Sequence, residues 1–185
     1  MNDVVVADNK IHNSGDQNPL SNYTAYPIFL SAANATATDP MYVTNNAIYE
    51  INTIGTVYAF YLSSGNFINF YHNTVNLDNQ YATTSTGGIR AFCSFASSGT
   101  FDIRNNIFSL SHVGTGTKHI IYLSSTTPTY TLDYNQYYLN ANAGTNFFGY
   151  YAANVASFTA WKALNSGAYE ANGVYGDAVF NQANY

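Results

Sequence analysis

An asparagine returns along this chain at Asn9, Asn46, Asn73, Asn106 and Asn135, at intervals of 37, 27, 33 and 29 residues. Each lies between two short stretches in which apolar and polar residues alternate. The third and fifth positions before it are Val6 and Val4, Val43 and Met41, Phe70 and Ile68, Ile103 and Phe101, and Leu132 and Tyr130. The second position after it is Ile11, Ile48, Val75, Phe108 or Tyr137, and in three units the fourth is Leu77, Leu110 or Leu139. Period-two alternation of this length marks a half-buried strand. A supersecondary unit recurring at such a period constrains the fold more than any other property of the chain.

A third strand completes each unit. Phe29, Tyr61, Phe92, Tyr122 and Tyr150, spaced 32, 31, 30 and 28 residues apart, sit in the segments PIFLS, FYLSS, AFCS, IYLSS and GYYA. Loops rich in Gly, Ser, Thr and Asn separate the strands, and helical periodicity is absent before residue 157. The Asn-Gly and Asp-Gly turns of two-residue hairpins are missing where a meander would need them. The pattern predicts a parallel coil, each strand stacking on its counterpart one turn later. About five three-stranded coils would make a rod of roughly 24 Å. Ser157, Phe158, Trp161, Leu164 and Gly167 supply the cap residue, apolar face and stop of a short helix that would close the end. The expectation is one domain over residues 1–185, with coils over about 1–156 and a helix and final extended piece over 157–185.

Charge is scarce: 8 % of residues are Asp, Glu, Lys or Arg, against about 25 % in ordinary domains. With five basic residues and a net charge of −5, no cationic stripe exists to neutralise a nucleic-acid backbone. No apolar run is long enough to span a bilayer. Cys93 is alone and reads as a small buried hydrophobe among Leu30, Leu62 and Leu123. No spacing of His, Cys, Asp or Glu indicates a metal site, and no cofactor motif is present.

Two outer stripes are candidates for function. In the strand before the asparagine, Arg104 and Asp133 fall side by side on neighbouring coils, with Asp102 two residues from Arg104. They read either as a small acid/base site or as a cross-strand ion pair. In the third strand, Leu30, Leu62, Cys93, Leu123 and Tyr151 form a nearly apolar set. The aromatic stripe would instead bury Arg90 unpaired, at a cost of several kcal/mol, so the stripe is predicted to face outward. Five such rings could be a stacking ladder, a platform for sugar rings, or the centre of a protein interface. Tyr49 and Tyr138 would widen the aromatic surface.

The segments Asp102-Ile-Arg-Asn-Asn-Ile-Phe-Ser-Leu and Phe70-Tyr-His-Asn-Thr-Val-Asn-Leu resemble coils of right-handed parallel β-helix proteins, the pectate-lyase-like superfamily. The likeness covers residues 4 to about 155. It implies an all-β, right-handed parallel solenoid in which the five asparagines stack in the turns as an amide ladder. The C-terminal helix is similar to the one that closes secreted bacterial surface proteins, including those of the Bacteroidota. The resemblance therefore implies an extracellular or cell-surface location. It also implies a structural or adhesive module whose partners are copies of itself, neighbouring domains of a larger surface protein, or glycans. The other expectation is a polysaccharide-binding or polysaccharide-degrading protein.

Overall fold

The computed structural model describes residues 4–178 and shows a parallel β-solenoid. Three columns of strands run its length. The first contains Val5–Ala7, Met41–Thr44, Ile68–Tyr71, Thr100–Arg104 and Thr129–Asp133, all parallel. The second stacks Lys10–Ile11, Ala47–Ile48, Thr74–Leu77, Ile107–Leu110, Gln136–Leu139 and Val174–Tyr175. The third stacks Ile28–Leu30, Val57–Leu62, Ile89–Ser94, Lys118–Leu123 and Asn146–Tyr151. Five strands in the first column are separated by four full turns, and the fifth coil is closed by the cap.

Inner positions of the first two columns follow the alternation. Val43, Phe70, Ile103 and Leu132 occupy one register and are essentially excluded from solvent, as are Ile48, Val75, Phe108 and Tyr137 behind the asparagines. Their burial supplies the main stabilisation, about 1.5–3 kcal/mol for each large apolar side chain.

The turn between the first and second columns has one geometry in every coil. The residue before each asparagine (Asp8, Asn45, His72, Asn105 or Tyr134) is left-handed, with φ between 54° and 60°. Asp and Asn tolerate this conformation, whereas for Tyr134 it is costly. The sharp reversal turns the following asparagine inward. Each of Asn9, Asn46, Asn73 and Asn106 gives its backbone N–H and its Nδ2 to the Oδ1 of the next asparagine, at 2.8–3.2 Å. The amides of Asn46, Asn73, Asn106 and Asn135 also bond backward to the carbonyls of Val6, Val43, Phe70 and Ile103. Four of the five side chains are buried, and this network satisfies donors whose isolation would cost about 1–3 kcal/mol each.

The third column departs from simple alternation. Its six-residue strands bury two adjacent residues, Ala59 with Phe60, Ala91 with Phe92, Ile120 with Ile121, and Phe148 with Gly149. The paired register passes over Ala59, Ala91, Ile120 and Phe148. A bend at this point in these four coils lets consecutive side chains point inward, so a period-two rule fails locally.

At the C-terminal end, Ala153–Val155 turns back antiparallel on Asn146–Tyr151 and covers that edge. A helix over Phe158–Lys162 follows, its start capped by Ser157 Oγ accepting from Ala160 N–H at 3.2 Å. The helix stops earlier than Gly167, which instead ends a 3-10 turn over Asn165–Gly167. Trp161 is fully buried and packs over Gly149, where even a methyl group would meet the indole ring. Of the final extended piece, Val174–Tyr175 forms a strand on Gln136–Leu139; Val179 and Phe180 lie outside the described residues.

Candidate functional site: the aromatic face of the third sheet

The bend in the third column creates two outward rows. The second residue of each strand supplies Tyr58, Arg90, His119 and Phe147, which lie in register, and Tyr26 precedes them beside Tyr58 through the Ala25–Val57 bridge. The fifth residue supplies Tyr61, Cys93, Tyr122 and Tyr150, with Phe29 ahead of Tyr61.

The expected stripe is therefore corrected at one rung. Phe92 is not outward: it is fully buried against Phe60, Phe70 and Phe108. Cys93 stands between Tyr61 and Tyr122, and Ser94, not Cys93, shares the register of Leu62 and Leu123. The shared dipeptides Ala59-Phe60 and Ala91-Phe92 carry the true alignment, which matching rings alone displaced by one residue. Ser94 is accommodated inside because its Oγ accepts from Tyr130 O–H at 2.9 Å.

The gap at Cys93 is filled by neighbours. Phe95, from the loop after the strand, lies 5.4 Å from Tyr61 and 5.5 Å from Tyr122. The Arg90 guanidinium sits 3.6 Å from the centre of the Tyr122 ring and 4.4 Å from that of Tyr58. Its Nε and Nη1 are covered beside the Cys93 thiol, and the ring faces offset its charge. Beneath them Cys93 is sealed from solvent, and burial raises its thiol to about 12, which makes it a poor nucleophile. Partial burial also raises the Tyr58 hydroxyl, against the opposing pull of Arg90.

Elsewhere the rings stack along the rod. Phe29 and Tyr61 are 4.9 Å apart and inclined by 13°, Tyr26 and Tyr61 are 5.0 Å apart, and Tyr122 and Tyr150 are 4.5 Å apart and inclined by 18°. His119 stacks on Phe147 at 5.5 Å, while its Nε2 meets Asn154 Oδ1 at 2.9 Å. Burial lowers the His119 pKa, which favours the uncharged ring that stacks here as one more aromatic. Phe29, Tyr26 and Phe95 remain exposed, at 52, 45 and 38 %.

Tyr49 and Tyr138 do not widen this face. Both belong to the second column; Tyr49 is buried and stacks on His12 at 4.7 Å, and Tyr138 lies beside Ser109.

The charged stripe of the first sheet is resolved into two separate arrangements. Arg104 and Asp133 are register neighbours, but Arg104 pairs with Asp102 at 2.7 Å, and Asp102 also accepts from Tyr71 O–H at 2.8 Å. Asp133 accepts from Asn172 through N–H at 2.7 Å and Nδ2 at 2.9 Å. Burial works to raise the Asp133 pKa, yet these bonds, the Tyr134 N–H and nearby Arg104 outweigh it and hold the carboxyl below its ordinary value. The arrangement ties strands and cap together.

Among the buried polar residues not anticipated, Lys118 and Glu170 carry the most extensive bonding. Lys118 is fully buried and gives its Nζ to the carbonyls of Gly114, Gly116 and Ala143; nothing in its neighbourhood in the sequence announces such a cage. Glu170, also fully buried, accepts from Asn135 and from Tyr137. Its position, 35 residues after Asn135, falls within the spread of the asparagine intervals and was a readable signal. A separate polar groove of about 650 Å³ lies between coils, lined by Asn13, Asp16, Glu50, Asn52, Asp78 and exposed Tyr81 among others. Among the described residues, no group of three His, Cys, Asp or Glu converges as metal ligands, and no helix is long and apolar enough to cross a membrane.

Fold and face together define a parallel β-solenoid protein with one aromatic outer sheet. Comparison with family models, curated proteins and solved structures finds no match to this chain; the solenoid assignment stands on strand pairing.

Proposed function

We propose that the protein is a non-catalytic structural module of a secreted bacterial surface protein, assembling side by side with further copies or neighbouring domains through the third sheet. The observation that carries this reading is the continuous outward cluster of Tyr26, Phe29, Tyr58, Tyr61, Arg90, Phe95 and Tyr122. Tyr, Phe and Arg are the residue types that concentrate at the centres of protein interfaces and contribute most of their binding energy. A rigid, pre-stacked surface also loses little side-chain entropy on contact. Engagement of Arg104, Asp102 and Asp133 in structural bonds supports a non-catalytic role. Light scattering tests the proposal: the wild-type chain should gain mass with concentration, and Tyr61→Ala/Tyr122→Ala should remain monomeric.

A second reading, glycan binding, draws on the polar groove. Its carboxylates and amides offer paired acceptors and donors for sugar hydroxyls, and Tyr81, 67 % exposed at its edge, offers a ring for a sugar face. Titration with neutral oligosaccharides, monitored by tyrosine fluorescence, would detect it; unchanged emission in both wild type and Tyr81→Ala would remove it.

A further inference from the structure

The asparagine ladder has a direction. Each rung's N–H and one Nδ2 hydrogen point to the following coil, so among the described residues the ladder begins with an acceptor at Asn9 and ends with donors at Asn135. At the donor end, the Asn135 side chain meets a carboxylate where a sixth asparagine would stand. Asn135 N–H reaches Glu170 Oε2 at 3.3 Å and its Nδ2 reaches Oε1 at 2.7 Å; Tyr137 O–H joins Oε1 at 2.6 Å. A carboxylate accepts without donating, so it satisfies the last rung and offers nothing to another. The same short segment covers the strand edges. Glu170 N–H bonds Leu132 carbonyl, Asn172 bonds Asp133, and Val174 N–H bonds Asn135 carbonyl.

At the opposite end, Asn9 is exposed, and among the described residues its Oδ1 accepts no hydrogen bond. Its coil opens the same three columns that reach Thr129–Asp133, Gln136–Leu139 and Asn146–Tyr151 in the last full coil, where Val174–Tyr175 and antiparallel Ala153–Val155 then cover the second and third. An Asn135 freed of Glu170 would therefore find on the Asn9 face of another copy the acceptor that Asn106 finds on Asn135 and, in the first column, a parallel strand to pair with. Such a contact joins unlike ends and does not close, so it propagates as a filament.

We infer that Glu170 is a terminating rung, and that the segment from Tyr169 to Tyr175 blocks head-to-tail joining of this chain to a second copy of itself. The inference does not rest on lateral assembly, and its test is run in the Tyr61→Ala/Tyr122→Ala background to separate the two. In that background the chain with Glu170 intact should sediment as a monomer at micromolar concentration. Glu170→Ala should shift Trp161 emission to longer wavelength as the cap loosens, and should produce species whose mass rises by whole multiples with concentration. Adding Asn9→Lys, which sets a donor where an acceptor is needed, should return the monomer. A monomeric Glu170→Ala chain overturns the inference, whether or not the emission shifts. So does assembly that Asn9→Lys leaves intact.

Discussion

Two ladders run the length of this rod, one inside and one outside, and they differ in how much variation they permit. The inner ladder repeats the same residue in five coils and ends in a side chain of matching reach, Glu170. The outer ladder tolerates Phe29, Tyr61, Tyr122 and Tyr150, drops its ring altogether at Cys93, and recovers contact through Phe95 and Arg90. Hydrogen bonds demand a donor and an acceptor at fixed positions, and a buried rung with either missing leaves its neighbours unsatisfied. Dispersion and ring contacts accept any neighbour of suitable size. The inner ladder fixes the register of the fold, and the outer face is free to be shaped for contact.

Breaking an inner rung gives the largest expected effect. Asn73→Ala leaves the Asn46 N–H and Nδ2 without their acceptor and opens a gap in the stack; chemical denaturation should report a loss of about 3–5 kcal/mol. Breaking an outer rung should cost less. Tyr61→Ala removes contacts with Phe29, Tyr26 and Phe95, and the same assay should show about 1–2 kcal/mol. A value equal to that of Asn73→Ala would erase the distinction between the ladders.

The end of the inner ladder should respond to pH. Burial raises Glu170 from 4.5 to about 6 despite its hydrogen bonds from Tyr137 and Asn135, with nearby Asp133 adding to the rise. The folded protein therefore holds this proton more tightly than the unfolded chain. Its contribution to stability is full below about 4.5 and is lost as pH rises through about 6. Asp133 works in reverse: held below its ordinary 3.8, it contributes above that value and its contribution is lost as pH falls further. Stability should thus decline by about 1–2 kcal/mol between pH 4.5 and 7, and Glu170→Gln should flatten this limb in denaturation curves. Burial pushes the Tyr137 hydroxyl well above its ordinary range, with Glu170 adding to the shift, so it stays protonated throughout.

The smallest effect concerns the turn that aims the inner ladder. Tyr134 is left-handed at φ 59° and 55 % exposed. Tyr134→Gly should relieve the strain at little packing cost and raise the unfolding midpoint, a gain of about 1 kcal/mol.

Much of this was legible in the sequence because inner positions must repeat. The asparagines, the apolar residues on either side and the Ser157–Trp161 cap follow from spacing and alternation. The outer register was misread at Phe92, since an aromatic residue is equally at home inside and outside, while the Ala-Phe pair that marks the bend at Ala59-Phe60 and Ala91-Phe92 gives way to Ile120-Ile121 and Phe148-Gly149 in later coils. The ring partners of Arg90 and the Ala143 carbonyl that completes the Lys118 cage come from neighbouring coils, and residue type alone does not announce them.

A fluorine label tests most directly whether the outer face makes contacts. With fluorophenylalanine at Phe95 and, in a second sample, fluorotyrosine at Tyr134, resonance positions are followed as concentration rises. The account predicts that the Phe95 signal shifts and broadens while the Tyr134 signal holds still. An unmoved Phe95 signal through the concentration range where mass increases, or equal changes at both positions, would contradict it.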